Sequence, residues 1–300
     1  MSSVVETGGE PDLTGHVAIV TGASKGLGQS YAKCLAAHGC AVVASNRAAP
    51  DGSSSVQAVV DEIVAAGGRA VGHSGPVQSP EAAAEMVATA ERAFGAPDIF
   101  VSNAGIQAWR DFSTVTLEEM RELLDINLWG VLVGLKAVWP AMVAKGYGRI
   151  VLTGSSAGLW GQQQSVDYGA SKAAMVGLAR SLALDVPEGA DIRVNVIAPA
   201  AYTPLSAGSL DPKWADYASP DHVAPVVGWL CSEACQTSGG IYHTGAGNVR
   251  RTQILEGRVD RLDAAPLNEV MAGLETRSEW KSSFQTGRDI FPEMVKGQKP

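Results

Sequence analysis

An α/β fold with a doubly wound parallel sheet of about seven strands is predicted by two observations. Apolar runs bounded by turns alternate with helical patterns along most of the 300 residues, and a glycine-rich turn joins the first run to the first helical pattern. The first run, at 17–20, reads Val-Ala-Ile-Val; the turn Thr21-Gly22-Ala23-Ser24-Lys25-Gly26-Leu27-Gly28 and a helix over 27–38 follow it. A second strand falls at 41–44, after which the polar loop Asp51-Gly52-Ser53-Ser54-Ser55 opens a helix over 53–66. Strands at 70–72 and 99–101 flank a helix at 79–94, and a long helical pattern at 116–144 leads to a strand at 149–152. The segment Gly169-Ala170-Ser171-Lys172-Ala173-Ala174-Met175 places a helix over 166–186, and strands at 193–197 and 241–243 enclose a last helix at 220–233. Such alternation puts helices on both faces of a parallel sheet, whose ligands bind beyond the carboxyl ends of the strands. The glycine turn, Asn103-Ala104-Gly105, Ser155 and Pro199 all follow strand ends, so one crevice is expected to gather them.

Hydrophobic residues make up 46% of the chain, enough for one large core, and no second composition regime begins before about residue 250. Residues 13–257 are therefore expected to form one domain. Residues 258–300 read as an extension packed on it or on a neighbouring subunit, with short amphipathic helices at 267–274 and 278–284. A formal charge of −8, with no basic cluster longer than Arg250-Arg251, argues against nucleic acid and for a small-molecule partner. Cys34, Cys40, Cys231 and Cys235 lack paired zinc-ligand spacing and are expected to be free thiols; His16, His38, His73, His222 and His243 are too scattered to suggest a metal. The polar, acidic start is unlike a signal peptide, and no uncharged apolar stretch of about 20 residues offers a membrane span. A cytoplasmic protein without a membrane partner is the expectation.

The chemistry is concentrated in Ser155-x12-Tyr168-x3-Lys172. On a helix over 166–186, Tyr168 and Lys172 lie four apart on one face and can share a site. A phenol with a pKa near 10 is a poor acid or base at neutral pH, and an ammonium held nearby favours the phenolate. With the Ser155 hydroxyl beside them, the pair suits carbonyl–alcohol redox chemistry. Taken alone, the Tyr-x3-Lys spacing also fits a solvated helix face. The glycine turn supplies the second half of the reading: Gly22, Gly26 and Gly28 let the backbone approach a pyrophosphate, whose charge the amides at the helix start stabilise.

In these motifs the chain resembles the short-chain dehydrogenase/reductases, from about Leu13 to Gly257. The resemblance extends to Ser102-Asn103-Ala104-Gly105, to Asn127 in Asp125-Ile126-Asn127-Leu128-Trp129-Gly130, and to Asn195-Val196-Ile197-Ala198-Pro199. It implies a Rossmann-type sheet, a nicotinamide dinucleotide cofactor, and a homodimer or homotetramer. It also implies roles: Ser155 holds the substrate oxygen, Tyr168 exchanges the proton, Lys172 binds the nicotinamide ribose, and Asn127 holds a water linking Lys172 to solvent. Gly22, Ser24, Lys25, Gly26, Leu27, Gly28, Asn103, Ala104, Gly105, Pro199 and Thr203 become cofactor contacts, although 199–203 departs from the family's PGxxxT pattern.

At the end of the second strand, where an acidic side chain would bind the ribose hydroxyls of NAD, the chain has Asn46-Arg47. Removing that charge and adding Arg47 and Lys25 favours NADP(H), with NAD(H) possible if both cations face solvent. Gly75 replaces the aspartate that often contacts the adenine. For the substrate, Tyr202 and Trp214 fall in the variable lid, and Trp109 and Trp160 follow the Asn103-Ala104-Gly105 turn and Ser155; together they suggest a bulky apolar pocket, though each could equally be core. From His222-Val223-Ala224-Pro225 to Gly245-Ala246-Gly247 the chain is similar to the (3R)-hydroxyacyl-CoA dehydrogenase domains of peroxisomal multifunctional enzymes of type 2 and their bacterial relatives. That subgroup implies an acyl-CoA thioester substrate, with Arg250, Arg251 and Arg258 as the nearest cations for its phosphates. Asn46 departs from the subgroup and leaves a free ketone, steroid or secondary-metabolite intermediate open. A relative that binds NADP(H) without turnover would have been expected to lose Ser155, Tyr168 or Lys172.

Overall fold

The computed structural model describes residues 11–49, 51–206 and 211–253, together with 266, 268 and 269. Its strands are β1 (Val17–Thr21), β2 (Ala41–Asn46), β3 (Arg69–Ser74), β4 (Ile99–Ser102), β5 (Tyr147–Thr153), β6 (Asp191–Ala200), β7 (Ile241–Gly245) and β8 (Asn248–Thr252). The helices between them are α1 (Gly26–Ala37), α2 (Gln57–Ala65), α3 (Pro80–Ala93), α4 (Leu117–Leu124), α5 (Gly130–Lys145), α6 (Ser156–Trp160), α7 (Val166–Leu184) and α8 (Ala224–Leu230). The sheet order is β3-β2-β1-β4-β5-β6-β7-β8, all parallel except the last pair. Because the order reverses between β1 and β4, a crevice opens beyond their carboxyl ends.

Strand residues alternate between two apolar layers, as a period of two requires. Ala18, Val20 and Val42 pack with α1, α2 and α8 on one face; Val17, Ile19, Phe100 and Ile150 pack with α3, α5 and α7 on the other. No disulfide joins the four cysteines, and they meet the first of these layers. A carboxylate fastens the opposite end of the sheet. Asp98 is wholly buried; its Oδ1 accepts the Val17 amide at 2.9 Å, while Oδ2 meets His16 Nδ1 at 3.2 Å and the Lys145 ammonium. Burial pushes its pKa up, but these hydrogen bonds more than offset that and hold it below the usual carboxylate range.

All seven expected strands are present, and the structure adds an eighth. Asn248-Val249-Arg250-Arg251-Thr252 is too polar to read as a strand, but it pairs antiparallel with β7 across the two-residue turn Ala246-Gly247. Both turn residues have positive φ (49° and 72°), the combination a tight hairpin needs. The five residues of α6 are too few to show a helical period. The long pattern at 116–144 becomes one continuous segment, Leu117–Lys145, with a π-helical turn at Asp125–Trp129 inside it. That segment is long and apolar enough to cross a membrane by composition. Its Val131, Leu135, Val138 and Met142 are instead packed on the protein's own sheet. The tail helices expected at 267–274 and 278–284 lie, apart from residues 268 and 269, outside the described residues.

Candidate active site

The crevice is shaped by backbone before any side chain enters it. Gly28 opens α1 so close to the preceding turn that a Cβ there would stand 2.2 Å from the Gly22 carbonyl oxygen; only glycine fits. Thr21, the last residue of β1, accepts the amides of Asn103 and Ala104 at 3.0 and 3.1 Å, and Asn103 Nδ2 donates to the Thr21 carbonyl at 3.1 Å. These bonds fix the glycine turn against the end of β4. Thr21 was legible as part of the turn but not as the residue that locks it.

Beyond this cradle lies a cavity of about 280 Å³ lined by Leu27, Asn103, Gly105, Ser155, Tyr168, Lys172, Pro199 and Thr203, among others. The sequence motifs from four strand ends thus meet in one place. Ser155 caps α6: its Oγ accepts the Ala157 amide at 3.1 Å, which leaves the hydroxyl proton for another acceptor. Tyr168 and Lys172 face the cavity from α7, with Nζ 5.8 Å from the centre of the phenol ring. Nζ donates to the Thr153 carbonyl at 2.9 Å, and burial lowers the lysine pKa to about 8. Burial also raises the Tyr168 pKa, with the Ser155 hydroxyl pulling the other way. This differs from the sequence reading, in which the ammonium lowers the phenol. Desolvation of both groups dominates, and the phenol keeps its proton at neutral pH.

Asn127 sits in the π-helical turn, wholly buried. Its Oδ1 accepts the Ile106 amide at 2.7 Å, and its Nδ2 donates to the Ile106 carbonyl at 2.8 Å and to Ser171 at 3.3 Å. The side chain therefore fastens the segment after β4 to α7, and a Cβ on Gly105 would meet both Asn127 Oδ1 and Lys172 Nζ, at 3.2 and 3.4 Å. At the other end of the crevice, Asn46 Nδ2 donates to Ser24 Oγ at 2.8 Å and to Ser55 Oγ at 3.0 Å. Ser55 spends its own proton on the Arg47 carbonyl, so the amide orientation is fixed and Asn46 Oδ1 remains as an acceptor. Lys25 and Arg47 are exposed nearby and carry no ion pair among the described residues. No aspartate fits at Gly75 as the chain stands, since a Cβ there would lie 2.7 Å from Ala82. A Cβ on Gly26 would stand 3.4 Å from Thr203, which sets Thr203 beside the glycine turn, and Ala104 follows Asn103 after β4.

The aromatic residues divide. Trp214 lines the cavity alongside Leu205 and Asp211. Tyr202 packs behind that wall with Trp214 and Tyr217, Trp160 packs edge-on against His243, and Trp109 lies half-buried outside the lining. His222 does not line the cavity; its Nδ1 bonds the Tyr217 carbonyl at 2.8 Å and shapes the turn before α8. Gln107, Gln162 and His243 do line it, and sequence reasoning missed them because a single polar residue in a loop or strand carries no periodic signal. Arg250 and Arg251, neighbours on β8, point to opposite faces of the sheet, so they do not form one anion site; Arg258 lies outside the described residues.

The cradle, where a Cβ would intrude, and the polar residues at its two ends fit a dinucleotide. Comparison with known proteins agrees. The model of the short chain dehydrogenase family matches residues 16–212. A short-chain type dehydrogenase/reductase of Mycobacterium tuberculosis is 37% identical over 263 residues, 85% of this chain and 91% of that protein. Peroxisomal multifunctional enzyme type 2 of Mus musculus is 36% identical over 238 residues, 78% of this chain; the match spans only 32% of the mouse enzyme. A 3-oxoacyl-[acyl-carrier-protein] reductase of Synechocystis is 31% identical over 79% of this chain and 98% of its own. Among solved structures, a Mycobacterium avium short chain dehydrogenase superposes with a TM-score of 0.76 at 33% identity, covering 89% and 96% of the two chains. Two more, from Beutenbergia cavernae with bound NADP and Mycobacterium paratuberculosis bound to NAD, both reach 0.71, at 32% and 28% identity over 80% of this chain and 98% of theirs. By sequence, fold and site, the chain belongs to the short-chain dehydrogenase/reductase family and is an NAD(P)-dependent oxidoreductase.

Proposed function

We propose that this protein interconverts a carbonyl and a secondary alcohol on a bulky hydrophobic substrate, first among them a 3-oxoacyl or 3-hydroxyacyl thioester, using NADP(H). The observation that carries the reading is the meeting of Ser155, Tyr168 and Lys172 in one cavity that opens from the glycine cradle. When bound, the nicotinamide cofactor would supply or take the hydride. Ser155, whose Oγ is fixed by the Ala157 amide, donates to the substrate oxygen and orients the carbonyl. Tyr168, held protonated by burial, delivers the proton to the same oxygen in reduction and recovers it in oxidation. Lys172, which shares the cavity lining with Leu27 and Thr203, holds the nicotinamide ribose in this reading, and Asn127 keeps Gly105 and α7 in register around it.

For the cofactor, two features oppose each other. Asn46 Oδ1, an acceptor, suits a ribose hydroxyl, whereas Lys25 and Arg47 suit a 2′-phosphate. A neutral hydrogen bond contributes about 0.5–1.5 kcal/mol and a charged one about 1.5–3, so NADP(H) is favoured. The thioester is supported by the likeness to multifunctional enzymes and a 3-oxoacyl reductase. A free ketone is the second reading, because Arg250 and Arg251 diverge where coenzyme A would need a joint phosphate site. A homodimer or homotetramer belongs to the proposal, supported by Phe112, Leu117 and Trp129, large apolar side chains left exposed. A panel of 3-oxoacyl thioesters and matched ketones, followed through NADPH and NADH absorbance, tests activity, cofactor and substrate together. Faster turnover of thioesters with NADPH is expected; no turnover of any carbonyl rejects the proposal.

A further inference from the structure

One buried titratable group in the cavity wall has no hydrogen-bond partner. His243 is wholly buried on β7, and neither ring nitrogen is hydrogen-bonded. Its ring meets that of Trp160 edge-on, 5.5 Å between ring centres. Burial lowers its pKa to about 4, so the ring is uncharged at neutral pH and offers one N–H and one lone pair. Leaving both unmet destabilises the fold, and such an orphan calls for an explanation.

Its place in the sheet supplies one. Ile241 and His243 share a face of β7, and Ile241 packs with Met175 and Ala179 of α7, the helix that carries Tyr168. In register, Thr153 pairs with Ile197 and Ala198 pairs with His243, which sets His243 level with the residue after Thr153, two strands across. Two strand spacings are roughly 10 Å. A substrate oxygen held by Ser155 and Tyr168 leaves room in that span for a second oxygen a few bonds away, followed by one hydrogen bond to the imidazole.

We propose that His243 is a specificity-determining residue whose imidazole N–H donates to a second carbonyl oxygen of the substrate, as the thioester carbonyl of a 3-oxoacyl compound would provide. This rests on the reading of the cavity as a carbonyl-substrate site. The N–H is shielded from solvent, so the carbonyl that accepts it turns the ring or shifts the Trp160 edge as it enters.

The test compares a 3-oxoacyl thioester with a monoketone of the same chain length that lacks the second carbonyl, in wild type, His243→Phe and His243→Gln. Both kcat/KM and the equilibrium Kd of each compound are measured. His243→Phe keeps the ring contact and removes the donor, so thioester kcat/KM and affinity are expected to fall about 5- to 150-fold, the range for stranding a buried acceptor. The monoketone should change by no more than about threefold. His243→Gln, which restores a donor, should recover much of the loss. The thermal midpoint of His243→Phe should stay level or rise, because an orphaned polar ring has been replaced by an apolar one. Equal losses on both compounds, no loss on either, or a large fall in the midpoint of both variants overturns the role of His243. Wild-type protein that neither binds nor reduces either compound rejects the carbonyl-site reading, and the role of His243 with it.

Discussion

At the residue scale the site is a set of buried ionisable groups whose charged forms burial disfavours. Tyr168→Phe preserves shape and removes the proton, so turnover should fall at least ~100-fold while dinucleotide binding persists. Near-normal turnover would end the mechanism. Lys172 makes the complementary case. Its folded pKa is about 8 against a reference of 10.5, so between those values the unfolded chain holds a proton that the fold has released. Stability from this group therefore rises as pH climbs from 8 towards 10.5, and below 8 the fold bears the full cost of a buried ammonium. Lys172→Met should thus lose turnover yet, without cofactor, match or exceed wild type in thermal midpoint at pH 7. That margin should shrink by pH 10; a variant less stable at every pH would contradict the account. The sequence disclosed Ser155, Tyr168 and Lys172 because their chemistry is tied to fixed spacing. It concealed the sign of the phenol's shift, because desolvation depends on what the fold stacks around a residue.

At the element scale, strands fully buried on both faces were legible as apolar runs, and helices as periodic patterns between them. What escaped were elements stabilised by neighbours more than by their own composition. β8 exists because β7 offers it a ladder and Ala246-Gly247 turns tightly enough to use it. The π-helical turn exists where Asn127 bonds both the amide and the carbonyl of Ile106. Asp98 likewise joins β4 to β1 and to the end of α5, through contacts 81 and 47 residues apart in sequence. Asp98→Ala leaves the Val17 amide buried without an acceptor, which costs about 1–3 kcal/mol. Lys145 is partly exposed, so its share of the ion pair adds little. The urea midpoint should fall with an unchanged slope. Because the Asp98 pKa is lowered in the fold, its contribution is present above the ordinary carboxylate pKa and is lost as pH falls through the folded value. Wild type and variant should therefore converge in acid; a gap independent of pH would mean that the carboxylate is not the clamp.

For the whole molecule, the sheet brings residues from 21 to 243 to one edge, and Asn46 lies outside the cavity that Ser155 and Tyr168 line. That separation allows cofactor choice to be tested without any substrate. A ligand that binds only the folded chain raises its stability by RT ln(1 + [L]/Kd), so at equal saturating concentrations the difference between two cofactors reports the ratio of their Kd values. If Arg47 contributes one charged hydrogen bond to a 2′-phosphate, NADPH should bind about 10- to 150-fold more tightly than NADH. The resulting gain of about 1.4–3 kcal/mol corresponds to a midpoint higher by roughly 3–12 °C for a domain of this size. Arg47→Asp removes the cation and repels the phosphate, so the order should reverse. Asn46→Asp should act in the same direction, since it adds charge beside an acceptor that Ser24 and Ser55 already orient. Equal midpoints with the two cofactors in wild type would mean that Lys25 and Arg47 stay in solvent and that Asn46 Oδ1, bonding a ribose hydroxyl, decides the binding.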